Sequence, residues 1–194
     1  MTDVGDPHLK SLALLEKLIE EADLDWAKVL DPVPLSMSTG LPVSVVVAGL
    51  TRRPMPQTAD FQQQVAQRLA FLRETRLRPD GSQYTKAEIA EGADVTPQWV
   101  GELLKGRKIP SLELASRIED LFRVRRGFLT ATPSQALAHA LEEKLAHEQA
   151  QQLTDLRELK ERFQLRSVAF RGAPETLAAM QDLLNLIVDE QKTS

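Results

Sequence analysis

The sequence predicts an all-α protein, and three observations carry that reading. From Phe61 onwards apolar residues recur at three- and four-residue spacing almost to the end of the chain. Cap signals stand before the periodic stretches: Thr85 with Glu88, Thr96 with Pro97, Ser111 after Pro110, and Thr132 with Pro133. Only Val45-Val46-Val47 speaks for a strand, and no partner strand is visible elsewhere. A lone strand leaves its backbone unpaired, so residues 41–50 are expected to form a short buried helix.

The elements follow in order. Leu12, Leu15, Leu18, Ile19 and Ala22, with Trp26 and Leu30 beyond, place one helix between His8 and Leu30, ended by Pro32 and Pro34. Thr51 to Asp60, with Pro54 and Pro56, reads as a linker. A helix from Phe61 to about Arg76 carries Val65, Leu69 and Leu72 on one face, and Arg78 to Gln83 is a turn. Short helices start after Thr85 and Thr96. Another follows Ser111, with Leu112, Ala115, Ile118 and Leu121 periodic. A long helix runs from Thr132-Pro133 to about Gln164, and a last one from Pro174 to about Glu190.

With 194 residues, 42% of them hydrophobic, the chain can bury a real core. The absence of cysteine removes disulfides, thiolate nucleophiles and Cys-based metal sites. Of three histidines, His139 and His147 are eight apart, two helical turns and not the one turn of a metal-binding pair. The uncharged run from Pro32 to Thr51 holds three prolines and two glycines, so it is not expected to span a membrane. Asp3 and Asp6 stand where a secretory signal would be basic; a cytoplasmic protein is expected. Charge divides the chain into three. Residues 1–60 hold five Lys/Arg against nine Asp/Glu, residues 61–130 twelve against nine, and residues 131–194 seven against ten. Only the middle region is basic, which suits a polyanion partner meeting that region alone.

The informative stretch is Thr85 to Pro110, TKAEIAEGADVTPQWVGELLKGRKIP. Small Ala90 allows two helices to cross closely, and Ala93, Val95, Val100 and Leu103 fill the wedge between them. The stretch resembles the helix-turn-helix of λ-repressor or Xre-type regulators. Asp94 stands where that family usually has Gly, and Asp tolerates the left-handed conformation better than most residues. Lys86 stands where the family usually has Gln. The chain from Phe61 to Gln191 is further similar to the mycobacterial EspR type of regulator, which also has an aromatic residue at the position of Trp99 and continues into dimerising helices.

The resemblance implies a five-helix DNA-binding domain over 61–130 and a C-terminal dimerisation region over 131–194; it does not reach residues 1–60, which are read as a small N-terminal helical module and linker. It implies double-stranded DNA as partner and a nucleoid-associated location; no cofactor or metal is expected, since the sequence shows no ligand cluster or phosphate loop. The recognition helix would span about 96–105, with Pro97, Gln98 and Trp99 facing the major groove. Gln98 is the best base reader, since an amide pairs bidentately with adenine. Trp99 is expected to face outwards, the alternative being a core residue, because Val100 and Leu103 already define the inner face. Lys86, Lys105, Arg107 and Lys108 would neutralise phosphates, and each is also ordinary solubilising charge. Thr85 and Thr96 cap helices with or without DNA.

On the flanks, Leu137, Leu141, Leu145, Leu153, Leu156 and Phe163 form a stripe with a polar gap at Glu148 to Gln152. Leu177, Met180, Leu184 and Ile187 make a 3-4-3 seam, usable between chains or within one. A homodimer is expected, because one helix-turn-helix reads only a half-site. The string VVVAGLTRRPMP (45–56) echoes WVGELLKGRKIP (99–110) at an offset of 54, with Val46, Leu50, Arg53 and Pro56 on Val100, Leu104, Arg107 and Pro110. That echo fits chance as well as a worn half-motif, and residues 1–60 are expected to be an accessory module for a protein partner or for dimer contacts. No Gly-rich phosphate loop, ligand cluster or nucleophile motif points to an enzyme. Two other readings stand beside a sequence-specific regulator. An architectural nucleoid protein would show long cooperative footprints. An antitoxin-like or transcription-factor-binding module would tolerate neutralised Lys105, Arg107 and Lys108.

Overall fold

A computed structural model of the chain describes residues 6–55 and 60–162; these form nine α-helices and no strand. They are α1 (Pro7–Glu21), α2 (Trp26–Val29), α3 (Pro32–Thr39), α4 (Val43–Leu50), α5 (Phe61–Thr75), α6 (Lys86–Ala93), α7 (Pro97–Leu104), α8 (Leu112–Leu121) and α9 (Pro133–Arg162). The described part is therefore all-α, with residues 43–50 helical. None of these helices is long and apolar enough to cross a membrane. The seam residues Leu177, Met180, Leu184 and Ile187, Phe163 and the helix expected after Pro174 lie outside the described residues.

The expected first helix is two. It stops at Glu21, the chain turns through Asp23 at φ 49°, and Asp25 caps α2 by accepting from the Ala27 amide at 2.9 Å. Pro32 and Pro34 do not end a helix; they open α3, where Asp31 caps Val33 and Pro32 takes the first position. The space between 61 and 130 holds four helices where the resemblance implies five. After Leu121 the chain runs through turns as far as Pro133.

The helices repeat. α1, α3 and α4 recur as α5, α6 and α7 with both ends of each displaced by 54 residues, from Pro7–Glu21 to Phe61–Thr75, from Pro32–Thr39 to Lys86–Ala93 and from Val43–Leu50 to Pro97–Leu104. The left-handed turns repeat too: Gly40 at φ 68° matches Asp94 at 58°, and Arg52 at 55° matches Gly106 at 68°. So do buried side chains, with Leu15 and Leu69, Leu35 and Ile89, and Val46 and Val100 at equal positions. Ser36, small like Ala90, hydrogen-bonds to the Leu41 carbonyl at 2.6 Å. The echo between 45–56 and 99–110 is thus the end of a doubled unit, and the N-terminal region is a second version of the same three-helix arrangement.

Each unit has its own core. Val65, Leu69, Leu72, Ile89, Val100, Leu103 and Ile118 pack together in the second, closed by α8 against α6. The first gathers Leu12, Leu15, Leu30, Leu35, Val46 and Leu50 with Leu137 and Leu141 of α9, which packs on α1, α3 and α4. The opening turns of α9 stand against α3 as α8 stands against α6. Each Leu buried in this way contributes about 1.5–3 kcal/mol. Past Leu145 the stripe on α9 loses its cover, and Leu153 is exposed.

Two buried charges fasten the turns between α8 and α9. Glu119 accepts from the Gly127 amide at 2.9 Å and the Leu129 amide at 2.8 Å, while the Arg68 guanidinium donates to the Phe128 carbonyl and lies over the Phe128 ring. Burial pulls the Arg68 pKa down to about 10, with the Glu119 charge opposing. Gln64 Nε2 donates to the Ala131 carbonyl at 2.6 Å, tying α5 to the start of α9. On the other side Gly40 meets the same Phe128 ring; a Cβ there would lie 2.7 Å from Phe128 Cζ.

His8 joins α1 to α9 by a 2.9 Å hydrogen bond between its Nδ1 and Ser134 Oγ. Burial holds this imidazole below its usual 6.5, against a smaller opposing pull from Asp6. The folded state thus binds fewer protons than the unfolded one. Stability from a neutral His8 is complete above pH 6.5 and is lost as pH falls from there through the lowered folded value. Urea midpoints measured over that range should drop with acid in the wild type and drop less in His8→Asn.

Candidate nucleic-acid interface

The candidate surface is built on α6, a three-residue turn and α7. Thr85 closes a reciprocal cap on α6: its hydroxyl accepts from the Glu88 amide at 3.2 Å, and Glu88 Oε2 accepts from the Thr85 amide at 2.8 Å. This cap holds the Glu88 carboxyl below its ordinary range, the Thr85 amide bond contributing most. At the other end Asp94 takes the left-handed conformation, and the Val95 amide donates back to the Ala90 carbonyl at 2.9 Å. Arg117 of α8 steadies this corner, donating to Asp94 Oδ2 at 3.3 Å and to Glu113 at 2.8 Å.

α7 then begins on Thr96, whose hydroxyl accepts from the Trp99 amide at 3.2 Å, with Pro97 in the first turn. Val100 and Leu103 are fully buried and fix which side of α7 faces the core. Pro97 and Gln98 are exposed on its first turn. Trp99 does not stand free beside them; it is half-buried, its ring packed against the second core. Its position, one residue before Val100 and four before Leu103, brings its stem over the edge of the inner face, between the outward and the core placements that the sequence allows. Gly106 at φ 68° turns the chain out of α7 towards Arg107 and Lys108.

The four predicted cations are all exposed but fall into two pairs. Lys105 Nζ lies 2.9 Å from Glu102 Oε1, and Arg107 Nη1 lies 3.4 Å from Glu102 Oε2. Lys86 and Lys108 make no ion pair among the described residues. Sequence reasoning misses Glu102, although Glu102-x-x-Lys105 is a recognisable one-turn pairing. It stands one turn after Gln98, on the same side of α7. Its carboxyl is held below the usual carboxylate range, first by the hydrogen bond from Lys105 and then by the charges of Lys105 and Arg107. Surface pairs of this kind are weak and screened by salt, so phosphates can compete for both cations. Thr85 and Thr96 have their hydroxyls engaged in caps.

Among the described residues no group of three His, Asp or Glu side chains is placed to hold a metal ion. Comparison with family models, curated proteins and solved structures gives no match for the chain.

Proposed function

We propose that the chain is a sequence-specific, double-stranded-DNA-binding transcription regulator of the Xre or λ-repressor type, acting as a homodimer on the nucleoid. The observation that carries the reading is the first turn of α7. Pro97 and Gln98 stand exposed at a capped helix start, held by a tight left-handed turn, and Lys86, Lys105, Arg107 and Lys108 are exposed on the same segment. A helix presented in this way enters the major groove by its N-terminal residues, while flanking cations meet the phosphates. Gln98 is the base reader and Trp99 a buttress that props the first turn from beneath while offering its exposed edge to sugar or thymine methyl groups. One such unit covers a half-site, and two related by a two-fold axis cover a pseudo-palindromic operator.

Fluorescence anisotropy with a selected and a random duplex across a salt series tests this. Gln98→Ala is expected to lose about 1–3 kcal/mol of discrimination between them, with affinity for the random duplex unchanged. Absence of binding by the wild type at low salt would overturn the DNA reading. Unaltered preference in Gln98→Ala would remove that side chain from base recognition.

A further inference from the structure

The two repeated units differ in charge on the surface that the proposed function uses. Residues 32–51, which make α3, its turn and α4, contain no charged side chain; residues 86–105 contain six. Lys86, Gln98, Lys105 and Lys108 are matched by Pro32, Ser44, Thr51 and Pro54, and only Arg107 keeps a cationic counterpart, Arg53. Phosphate binding needs cations, so the first unit has the scaffold without the chemistry. Apolar side chains stand there instead: Val33 is 56% exposed, Met37 41%, Val43 41% and Val47 39%. Their four-residue spacing sets Val33 and Met37 in one row along α3 and Val43 and Val47 in another along α4. α3 and α4 pack together, so the two rows stand on adjoining helices of one unit.

We propose that this face pairs with the same face of a second copy of the chain. In a two-fold contact each surface meets itself, so any net charge on it is set against its own sign. The segment 32–51 that supplies Val33, Met37, Val43 and Val47 carries no charged side chain and adds nothing to that cost. α9 covers the side of the unit that packs into its core, in the place α8 takes in the other unit, and leaves these rows uncovered. The first unit is thus a helix-turn-helix turned to self-association. It would deliver two α7 helices to two half-sites; that use rests on the DNA reading, the pairing does not.

Sedimentation velocity of the full chain without DNA, over a concentration series, tests the pairing. The wild type is expected to dimerise. Met37→Glu/Val43→Glu should raise the dimer dissociation constant by roughly tenfold or more, because carboxylates would be desolvated in the contact. Val33→Ser/Val47→Ser, which adds no charge, should weaken it less, and Leu14→Glu, exposed on α1, should leave it unchanged. Circular dichroism melts verify that each variant is folded. Wild-type affinity in both α3–α4 variants would overturn the proposal and place self-association elsewhere, as would a wild type that stays monomeric. Half-site DNA affinity, read separately, should be the same in Met37→Glu/Val43→Glu as in the wild type. Its loss there would overturn the division of labour by making the first unit a DNA-binding surface.

Discussion

Replacing Glu119 with alanine is expected to destabilise the protein by about 3–5 kcal/mol, the cost of breaking a buried charged network by removing one partner. The substitution strands the Gly127 and Leu129 amides and leaves the Arg68 guanidinium without the opposing charge that offsets its desolvation. For a chain of this size each kcal/mol shifts the melting temperature by about 2–4 °C, so a drop of roughly 10 °C should be visible in a thermal melt. The effect reaches beyond α8. The amides that Glu119 holds belong to the turns that carry Phe128 against Gly40 and Ala131 against Gln64, the join between the two units. A loss below about 1 kcal/mol, the range of ordinary surface substitutions, would mean that the network is not structural.

The second large effect concerns charge on the α7 face, and its two arms run in opposite directions. Lys86→Gln/Lys108→Gln removes the two cations that make no ion pair among the described residues. The slope of log affinity against log salt should become shallower by about 0.9 for each phosphate that is no longer neutralised, and affinity at low salt should fall by roughly ten- to a hundredfold. Glu102→Gln should do the reverse. It releases Lys105 and Arg107 from their shared carboxylate and takes a negative charge off the face one turn from Gln98. Affinity for any duplex should rise several-fold at low salt and the slope should steepen. Equal slopes in wild type and both variants would mean that these side chains do not meet phosphates.

What the sequence makes legible is what the chain encodes locally. Thr85 with Glu88, Thr96 with Pro97 and Ser111 each satisfy backbone amides within three residues, and all three caps form. The turn at Asp94 is legible because a short polar side chain tolerates positive φ. Two local differences come from proline and from a missing breaker. Pro32 opens a helix because Asp31 precedes it, and the stop after Glu21 is made by Asp23 and Asp25, with no glycine or proline to mark it. The doubled unit is nearly invisible in sequence because few identities survive and elsewhere only the residue's physical role is kept: Leu35 for Ile89, Ser36 for Ala90, Gly40 for Asp94. The change on its surface, with Pro32, Thr51 and Pro54 where the second unit has Lys86, Lys105 and Lys108, removes the resemblance at the positions that carry the charge. Least legible is Glu119. On the helix it follows Ile118 as any surface carboxylate might, and the amides that bury it come from turns eight and ten residues later.

The function proposed for α7 depends on which surface meets the duplex. Amide chemical shifts of the full chain, followed during titration with a short selected duplex, locate that surface residue by residue. The largest changes are expected at 85–87, 96–99 and 105–108, with α3 and α4 unperturbed. Changes confined to 32–50, or spread along α9 while Gln98 and Lys105 stay still, would contradict it.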